Sequence, residues 1–278
     1  MHGLIKKISK AFRLAVMEPR TLYRYCKCYL ISTPSKCILM VNGVRFQIDT
    51  DLDSAIIKMY HGLYQREIVS LLKIYLRQGD TFLDVGANIG YISAIGLSLV
   101  GKTGEVHSFE PVPRFFKKLS MIQVDNPAYH IYPNNIALGD DEGVSRIAVT
   151  NLKNIGWNTM VPGLMSDETT GETIDVPVVR LDTYICSNNI QNIRLIKIDT
   201  EGYEFPVIKG ISGYLRDSKQ FPIFIIEIEP TAYSLLNLSL KDFQELMRGL
   251  GYVGYTLDGK RPIDVSRLRI TTDVLFLH

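Results

Sequence analysis

The run Asp84-Val-Gly86-Ala-Asn88-Ile-Gly90 follows directly on the apolar stretch Thr81-Phe-Leu, and a second apolar stretch, Val106-His-Ser-Phe, ends in Glu110 about twenty residues later. A strand that ends in a glycine turn and runs into a helix is the opening unit of an open α/β sheet, where ligands sit at the carboxyl ends of the strands. Gly86 and Gly90 let the backbone turn tightly and approach a ligand, and the helix that follows presents its N-terminal amides. A dinucleotide fold would need Gly-x-Gly-x-x-Gly, with pyrophosphate lying on the loop. The spacing here is Asp84-x-Gly86-x-Asn88-x-Gly90. An acidic side chain at the strand end opposes a pyrophosphate and suits a ligand that carries an ammonium and a sulfonium. Glu110 stands where a carboxylate accepts hydrogen bonds from both hydroxyls of a ribose, and Pro111 and Pro113 fix the turn behind it. Helix capping is the other use of an acid at a strand end; the glycine loop beside it favours ribose.

The alternation continues beyond this unit. Strands are expected over 81–85, 105–109, 129–134, 195–198, 223–228, 252–257 and 273–277, with helices near 89–99, 114–123, 204–215 and 240–250. That pattern specifies an α/β fold with a parallel sheet and helices on both faces. The last two strands have no helix between them, so they form an antiparallel pair. Upstream, Ile56 to Leu76 reads as one helix, stopped by Gln78-Gly79-Asp80. Cys37-Ile-Leu-Met-Val41 and Val44-Arg-Phe-Gln-Ile48, joined by Asn42-Gly43, read as a β-hairpin. Residues 1 to about 30 have helical spacing, with Leu4, Ile8, Phe12 and Val16 opposite Lys6, Lys7, Lys10 and Arg13. A basic helix packed on its domain is favoured over a membrane-surface helix. The chain is therefore divided into an appendage, 1–55, and a main domain, 56–278. Within the latter, 147–179 breaks the rhythm with Asn154, Gly156, Trp157 and a polar loop, either as an acceptor-binding loop or as a surface excursion.

Composition removes several classes. Lys and Arg total 31 against 29 Asp and Glu, a net charge of +2, so there is no whole-protein field to draw in nucleic acid. Cys26, Cys28, Cys37 and Cys186 lack the second pair or nearby histidine of a zinc set and read as reduced thiols. No signal-peptide apolar core follows the basic N-terminus, and the longest apolar stretch, Tyr91 to Val100, is about half of the ~20 residues a membrane span needs. A cytoplasmic location is expected.

Three further strand ends carry candidate chemistry. Asn134-Asn135-Ile-Ala137-Leu138-Gly139-Asp140 offers backbone and amide groups where an adenine would lie, with Asn135, Ala137 and Leu138 as contacts; a plain turn explains it equally well. Leu195-Ile-Lys197-Ile-Asp199-Thr-Glu201-Gly202 ends a buried strand in two carboxylates. Asp199 or Glu201 can take a proton from an acceptor hydroxyl or ligate a divalent metal, although no metal site is assigned. Lys197 and Asp199 share one side of the strand, so an internal ion pair is the alternative. Glu227 and Glu229 end Ile223-Phe-Ile-Ile-Glu-Ile-Glu and would face the same cleft, Glu227 as a further catalytic candidate. His107, inside an apolar strand, and His61 read as structural.

Taken together, Asp84 to Gly90, Ser108-Phe-Glu110-Pro111, Ala137-Leu-Gly-Asp140 and Ile196-Lys-Ile-Asp199-Thr-Glu-Gly202 resemble the FkbM-type methyltransferases over about residues 60–278. Tyr64-x-x-Glu67 and Asn154-x-Gly-Trp-Asn158-Thr159 are also similar to that family's pattern. The resemblance implies a Rossmann-like class I methyltransferase sheet, seven-stranded and mostly parallel with the last strand antiparallel. It further implies S-adenosylmethionine as cofactor, held by Asp84, Gly86, Asn88, Gly90 and Glu110, with Ala87 of the same loop as a further candidate contact, and O-methylation of a sugar, glycan or natural-product hydroxyl. It defines no catalytic base, so Asp199, Glu201 and Glu227 rest on placement alone. The expected partner is a small-molecule or glycan acceptor, not nucleic acid. Rival readings are a non-catalytic module that keeps the cofactor fold, a nicotinamide-dependent oxidoreductase, and an RNA 2′-O-methyltransferase, since Lys197, Asp199 and Glu227 resemble a lysine-acid-glutamate site. The missing basic surface opposes the last.

Overall fold

The computed structural model describes residues 36–49, 54–150, 158–164, 169–218 and 220–278. The amphipathic stretch over 1–30, Cys26, Cys28, Asn154, Gly156 and Trp157 lie outside these residues.

Strands β1 (Lys36–Val41) and β2 (Val44–Asp49) form the expected hairpin. Asn42 and Gly43 take φ of 47° and 93°, the left-handed pair that a two-residue turn matched to strand twist requires. The single helix expected over Ile56–Leu76 is two helices, α1 (Ser54–Tyr60) and α2 (Arg66–Tyr75). Gly62, at φ 66°, ends the first: its N–H donates to Met59 O at 3.0 Å and Leu63 N–H to Lys58 O at 2.7 Å, the paired bonds of a glycine C-cap. An apolar period runs through such a break undisturbed, which is why it reads as one helix.

The remaining elements are β3 (Thr81–Val85), α3 (Tyr91–Val100), β4 (Glu105–Phe109), α4 (Pro113–Asp125), β5 (His130–Asn134), β6 (Ala137–Gly139), β7 (Gly143–Thr150), β8 (Thr169–Arg180), α5 (Leu181–Ser187), β9 (Ile193–Ile198), α6 (Glu204–Ser218), β10 (Ile223–Ile228), α7 (Pro230–Leu235), α8 (Leu240–Gly249), β11 (Val253–Tyr255) and β12 (Thr272–Leu277). Seven strands form the central sheet in the order β11-β12-β10-β9-β3-β4-β5. β12 runs antiparallel to both neighbours, and the pairings from β10 to β5 are parallel. This is the expected class I methyltransferase sheet. Strand order reverses between β3 and β9, which opens a crevice at their carboxyl ends.

The central strands explain themselves by burial. All of β3 is buried, as are Leu195, Ile196 and Ile198 of β9, because parallel strands are covered on both faces. Asp84 and Lys197, opposite one another in the β3–β9 register, are the buried charged exceptions. The irregular stretch near 147–179 is where β7 and β8 pair antiparallel, and β6 joins β8 to complete a three-stranded sheet.

The described residues fall into two compact units, one holding residues up to 39 together with 47–66, the other 40–46 together with 67–278. Every site residue below belongs to the second. No helix among the described residues is long and apolar enough to cross a membrane.

Candidate active site

The glycine loop leaves β3 at the switch point. Gly86 takes φ 78°, and a Cβ there would sit 1.7 Å from the carbonyl oxygen of Asp199. The Asp199 N–H in turn donates to Val85 O at 3.0 Å. This glycine is therefore demanded by protein, not only by ligand: it lets the ends of β3 and β9 close on each other. Gly90, at φ 90°, is similarly occupied by Leu119 and Ile122 of α4. Phe109 O accepts from Gly86 N and Ala87 N at 3.0 and 2.9 Å, which ties the loop to the end of β4.

Glu110 completes this wall. Its Oε2 accepts from Asn88 N and its Oε1 from Val112 N, both at 2.8 Å. Asn88 takes φ 51°, and its own Oδ1 accepts from Ile89 N. Burial pushes the Glu110 carboxyl up to about 7, with the two backbone donors pulling the other way. A carboxylate oxygen engaged by one N–H has a second lone pair, so Glu110 can accept one further hydroxyl on each oxygen. Asn135 braces the turn from below, its Nδ2 donating to Glu110 O and Pro111 O at 2.9 Å each. Ala137 and Leu138 are buried in β6, paired with Val178 and Val179 of β8.

Asp84 has no exposed surface. Its Oδ2 accepts from Ser93 Oγ at 2.5 Å, and Ser108 Oγ donates to Ser93 Oγ at 2.9 Å. Lys197 Nζ lies 3.8 Å from Asp84 Oδ1 and 2.9 Å from Asp199 Oδ2. The internal ion pair considered for Lys197 and Asp199 is thus present, and it extends to Asp84. Burial raises the Asp84 carboxyl and the Lys197 ammonium opposes this. The carboxylate supports the loop from inside the sheet.

On the other side of Lys197, Asp199, Glu201 and Glu227 each offer a carboxylate oxygen within 4.8 Å of the others. The three catalytic candidates converge. Asp273 of β12, opposite Glu227 in the register, stands behind them. Glu227 is pushed up to about 11, first by the charge of Asp199 and then by burial. Burial, followed by Asp199, lifts Glu201 well above the usual carboxylate range, and burial lifts Asp273 to about 6. Carboxyls this close cannot all ionise beside one ammonium, so the group must hold protons or a divalent cation. Asp199, Glu201 and Glu227 are the residues that could ligate such a cation. Glu229 does not join them: it caps α7, accepting from Thr231 N at 3.1 Å, and also bonds Thr271.

The methyltransferase FkbM domain matches residues 84–256, from the glycine loop through β11. The chain belongs to the FkbM methyltransferase family. The 31-O-demethyl-FK506 methyltransferase FkbM of Streptomyces tacrolimicus is 32% identical over an alignment 168 residues long, which covers 50% of this chain and 62% of that relative. The hexuronic acid methyltransferase AglP of Haloferax volcanii is 22% identical over 152 residues, 55% of this chain and 58% of the relative. The matches thus span less than two thirds of either relative. Among solved structures, the methyltransferase FkbM from Methylobacillus flagellatus KT superposes with a TM-score of 0.46 at 16% identity, covering 81% of this chain and 54% of that one.

S-adenosylmethionine is the cofactor of this FkbM-family chain, and the residues present fit it. The loop side offers a carboxylate with capacity for two hydroxyls at Glu110, and at the switch point two carboxylates, Asp84 and Asp199, surround the one ammonium of Lys197. Two contributors, Ser93 and Glu204, are unmarked in the sequence, and a third, Thr159, stands there only within the Asn154–Thr159 motif, without a role. Ser93 is a lone polar residue on the buried side of α3, signalled only by its contrast with its neighbours. Glu204 is fully buried at the start of α6, where acidic residues usually read as solvated caps. Thr159 belongs to the irregular insertion, and its hydroxyl donates to Glu201 O at 2.6 Å. Val161 and Leu164 close on Gly202 beside it, so the insertion packs on the Asp199–Gly202 turn.

Proposed function

We propose that this chain is an O-methyltransferase that moves the methyl group of S-adenosylmethionine to a hydroxyl of a sugar, glycan or natural-product acceptor. The observation that carries the reading is the meeting of Asp199, Glu201 and Glu227 within 4.8 Å, on a turn packed directly against the glycine loop at Gly86. The relatives named for a demethyl-FK506 compound and for a hexuronic acid support a hydroxylated acceptor.

When bound, the cofactor supplies an electrophilic methyl on a sulfonium. Glu110 would hold the ribose hydroxyls, the Asp84–Gly90 loop the amino-acid end, and Asn135 with the β6 entry the base. The carboxylate group receives the proton of the acceptor hydroxyl. It titrates as a unit, so the proton belongs to Asp199, Glu201 and Glu227 together and not to one residue. Lys197 keeps the unit oriented through Asp199. Alignment of two bound reactants supplies most of the acceleration in such a transfer, and a positioned base adds about 10²–10⁴-fold.

A second reading uses the same three oxygens to hold a divalent cation, which would orient the acceptor hydroxyl and lower its pKa. The spacing of one oxygen from each carboxylate favours it. Incubation with methyl-labelled S-adenosylmethionine and a panel of hexuronic-acid glycosides, other glycans, hydroxylated macrolides and cell extracts, with and without EDTA, separates these outcomes. Label in a hydroxylated product supports the transfer, and its loss in EDTA supports the cation. Tight cofactor binding with no label in any acceptor would replace the enzyme with a binding module.

A further inference from the structure

Glu201 is a residue in an uncommon backbone state. Among the described residues, seven non-glycine positions have positive φ, and five of them are asparagine, which tolerates the left-handed region; Glu201, at φ 51°, is not. Gly202 follows at φ 101°, and a Cβ there would meet the Ala232 methyl at 2.4 Å. Two consecutive left-handed residues make the sharp turn between β9 and α6 that puts the Glu201 carboxylate beside Asp199 and Glu227. A non-glycine residue stays in such a state only where its surroundings over-determine it.

Two side chains do so, from opposite ends of the peptide. Glu204 Oε1 accepts from Thr200 N at 3.3 Å, Thr200 Oγ1 at 3.1 Å and Gly202 N at 2.8 Å, gathering the donors on either side of Glu201. The Glu201 carbonyl is taken by Thr159 Oγ1 at 2.6 Å. The direction of that bond is fixed, because Val161 N already donates to the same hydroxyl at 3.0 Å and leaves its proton for Glu201. Thr159 is itself held to β7, its carbonyl accepting from Ala148 N at 2.9 Å.

We propose that Thr159 and Glu204 are positioning residues that clamp Glu201 in its left-handed conformation and thereby hold its carboxylate against Asp199 and Glu227. The insertion that carries Thr159 is then a working part of the site, connecting β7 to the carboxylate group through one hydroxyl. The proposal rests on the reading of that group as the place of proton transfer.

The test compares Thr159→Val, Thr159→Ser, Glu204→Leu and Glu204→Gln by crystallography in complex with S-adenosylhomocysteine. Valine and leucine remove the hydroxyl and the acceptor, whereas serine and glutamine keep them. In Thr159→Val and Glu204→Leu, Glu201 is expected to leave the left-handed region and its carboxylate to move away from Glu227; the Ser and Gln variants should keep the wild-type turn. Should the first pair fail to crystallise, selective ¹⁵N-glutamate labelling reads the sign of the Glu201 φ in solution from its intraresidue HN–Hα NOE, which is strong at positive φ, with Thr159→Ala as the milder variant. An unchanged φ in the variants lacking the hydroxyl and the acceptor overturns the clamp. Glu201→Gln, which keeps the backbone, is assayed separately for methyl transfer with the acceptor panel. Unchanged transfer there, with the clamp geometry verified, would overturn the catalytic meaning of Glu201 and leave the backbone result standing.

Discussion

The walls on either side of Lys197 are built on opposite principles. At the ends of β3 and β4, buried acidic groups have fixed donors: Glu110 takes Asn88 and Val112 amides, and Asp84 takes Ser93. At the ends of β9 and β10, acidic groups face one another, and Lys197 opposes their crowding. An acceptor held by backbone amides, as Glu110 is, is rigid and presents the same lone pairs in every state, as a binding surface should. A wall of mutually repelling carboxyls changes its proton content easily, which suits proton transfer or cation binding. Gly86 joins the two, so Gly86→Ala should have the largest effect. Its Cβ would overlap the Asp199 carbonyl at 1.7 Å, and the loss of stability should exceed about 4 kcal/mol. A thermal midpoint within a few degrees of wild type would mean that the walls are not in fact coupled at this point.

The division of labour can be broken from either side. Glu110→Ala should weaken S-adenosylhomocysteine binding about 100-fold, on the order of 3 kcal/mol for two lost hydroxyl contacts to a charged group. Asp199→Asn should leave that affinity within a few-fold and lower methyl transfer about 100-fold. Calorimetry on both variants, beside the labelled-methyl assay, decides the matter. Equal losses of binding in the two would merge the walls into one surface.

The response to pH draws on both walls, since burial also raises Glu110 to about 7, but the crowded carboxyls dominate it. Glu227, Asp273 and Glu204 have folded-state carboxyls raised to about 11, 6 and 7. A raised carboxyl contributes stability below its unfolded value, near 4.5, and loses that contribution as pH climbs toward the folded value. The melting temperature should therefore fall between about pH 5 and pH 8, and Glu227→Gln, which cannot ionise, should flatten the fall. A divalent cation that occupies the three oxygens would restore the midpoint at pH 8 in the wild type but less so in Glu227→Gln. A melting temperature that is flat in the wild type would contradict the crowding.

What could be read in advance follows the same division. The β3–β4 side is local in sequence: a glycine loop, a strand and Glu110 lie within one strand-helix-strand unit, so spacing and charge sign suffice to place them. The parallel sheet and the antiparallel pair that closes it follow from the alternation of elements, whereas the order of the strands does not. Asp199, Glu201 and Glu227 could be nominated because each ends an apolar strand, but their convergence depends on the β9–β10 register and on the left-handed turn at Glu201, and neither leaves a mark in the residue pattern. Thr159 comes from a segment with no periodicity, and Glu204 looks like any acid in a first helical turn. Glu229, two residues from Glu227, was equally eligible for the cleft by sequence; Pro230 starts a helix there and turns Glu229 into its cap.

The smallest expected effect tests whether the satisfied wall needs all of its donors. Ser93→Ala removes the hydroxyl that bonds Asp84 Oδ2 and leaves Ser108 without its acceptor. A lost hydrogen bond to a charged group costs about 1.5–3 kcal/mol, but Lys197 remains within 3.8 Å of the other Asp84 oxygen. The loss should therefore lie near the lower figure. Cofactor affinity should stay nearly constant, because Asp84 has no exposed surface through which to report the change. Denaturant unfolding and calorimetry on this one variant measure both quantities. A clear fall in affinity with little change in stability would show that Asp84 acts on the ligand through its charge, and that the two walls differ less than their hydrogen bonds suggest.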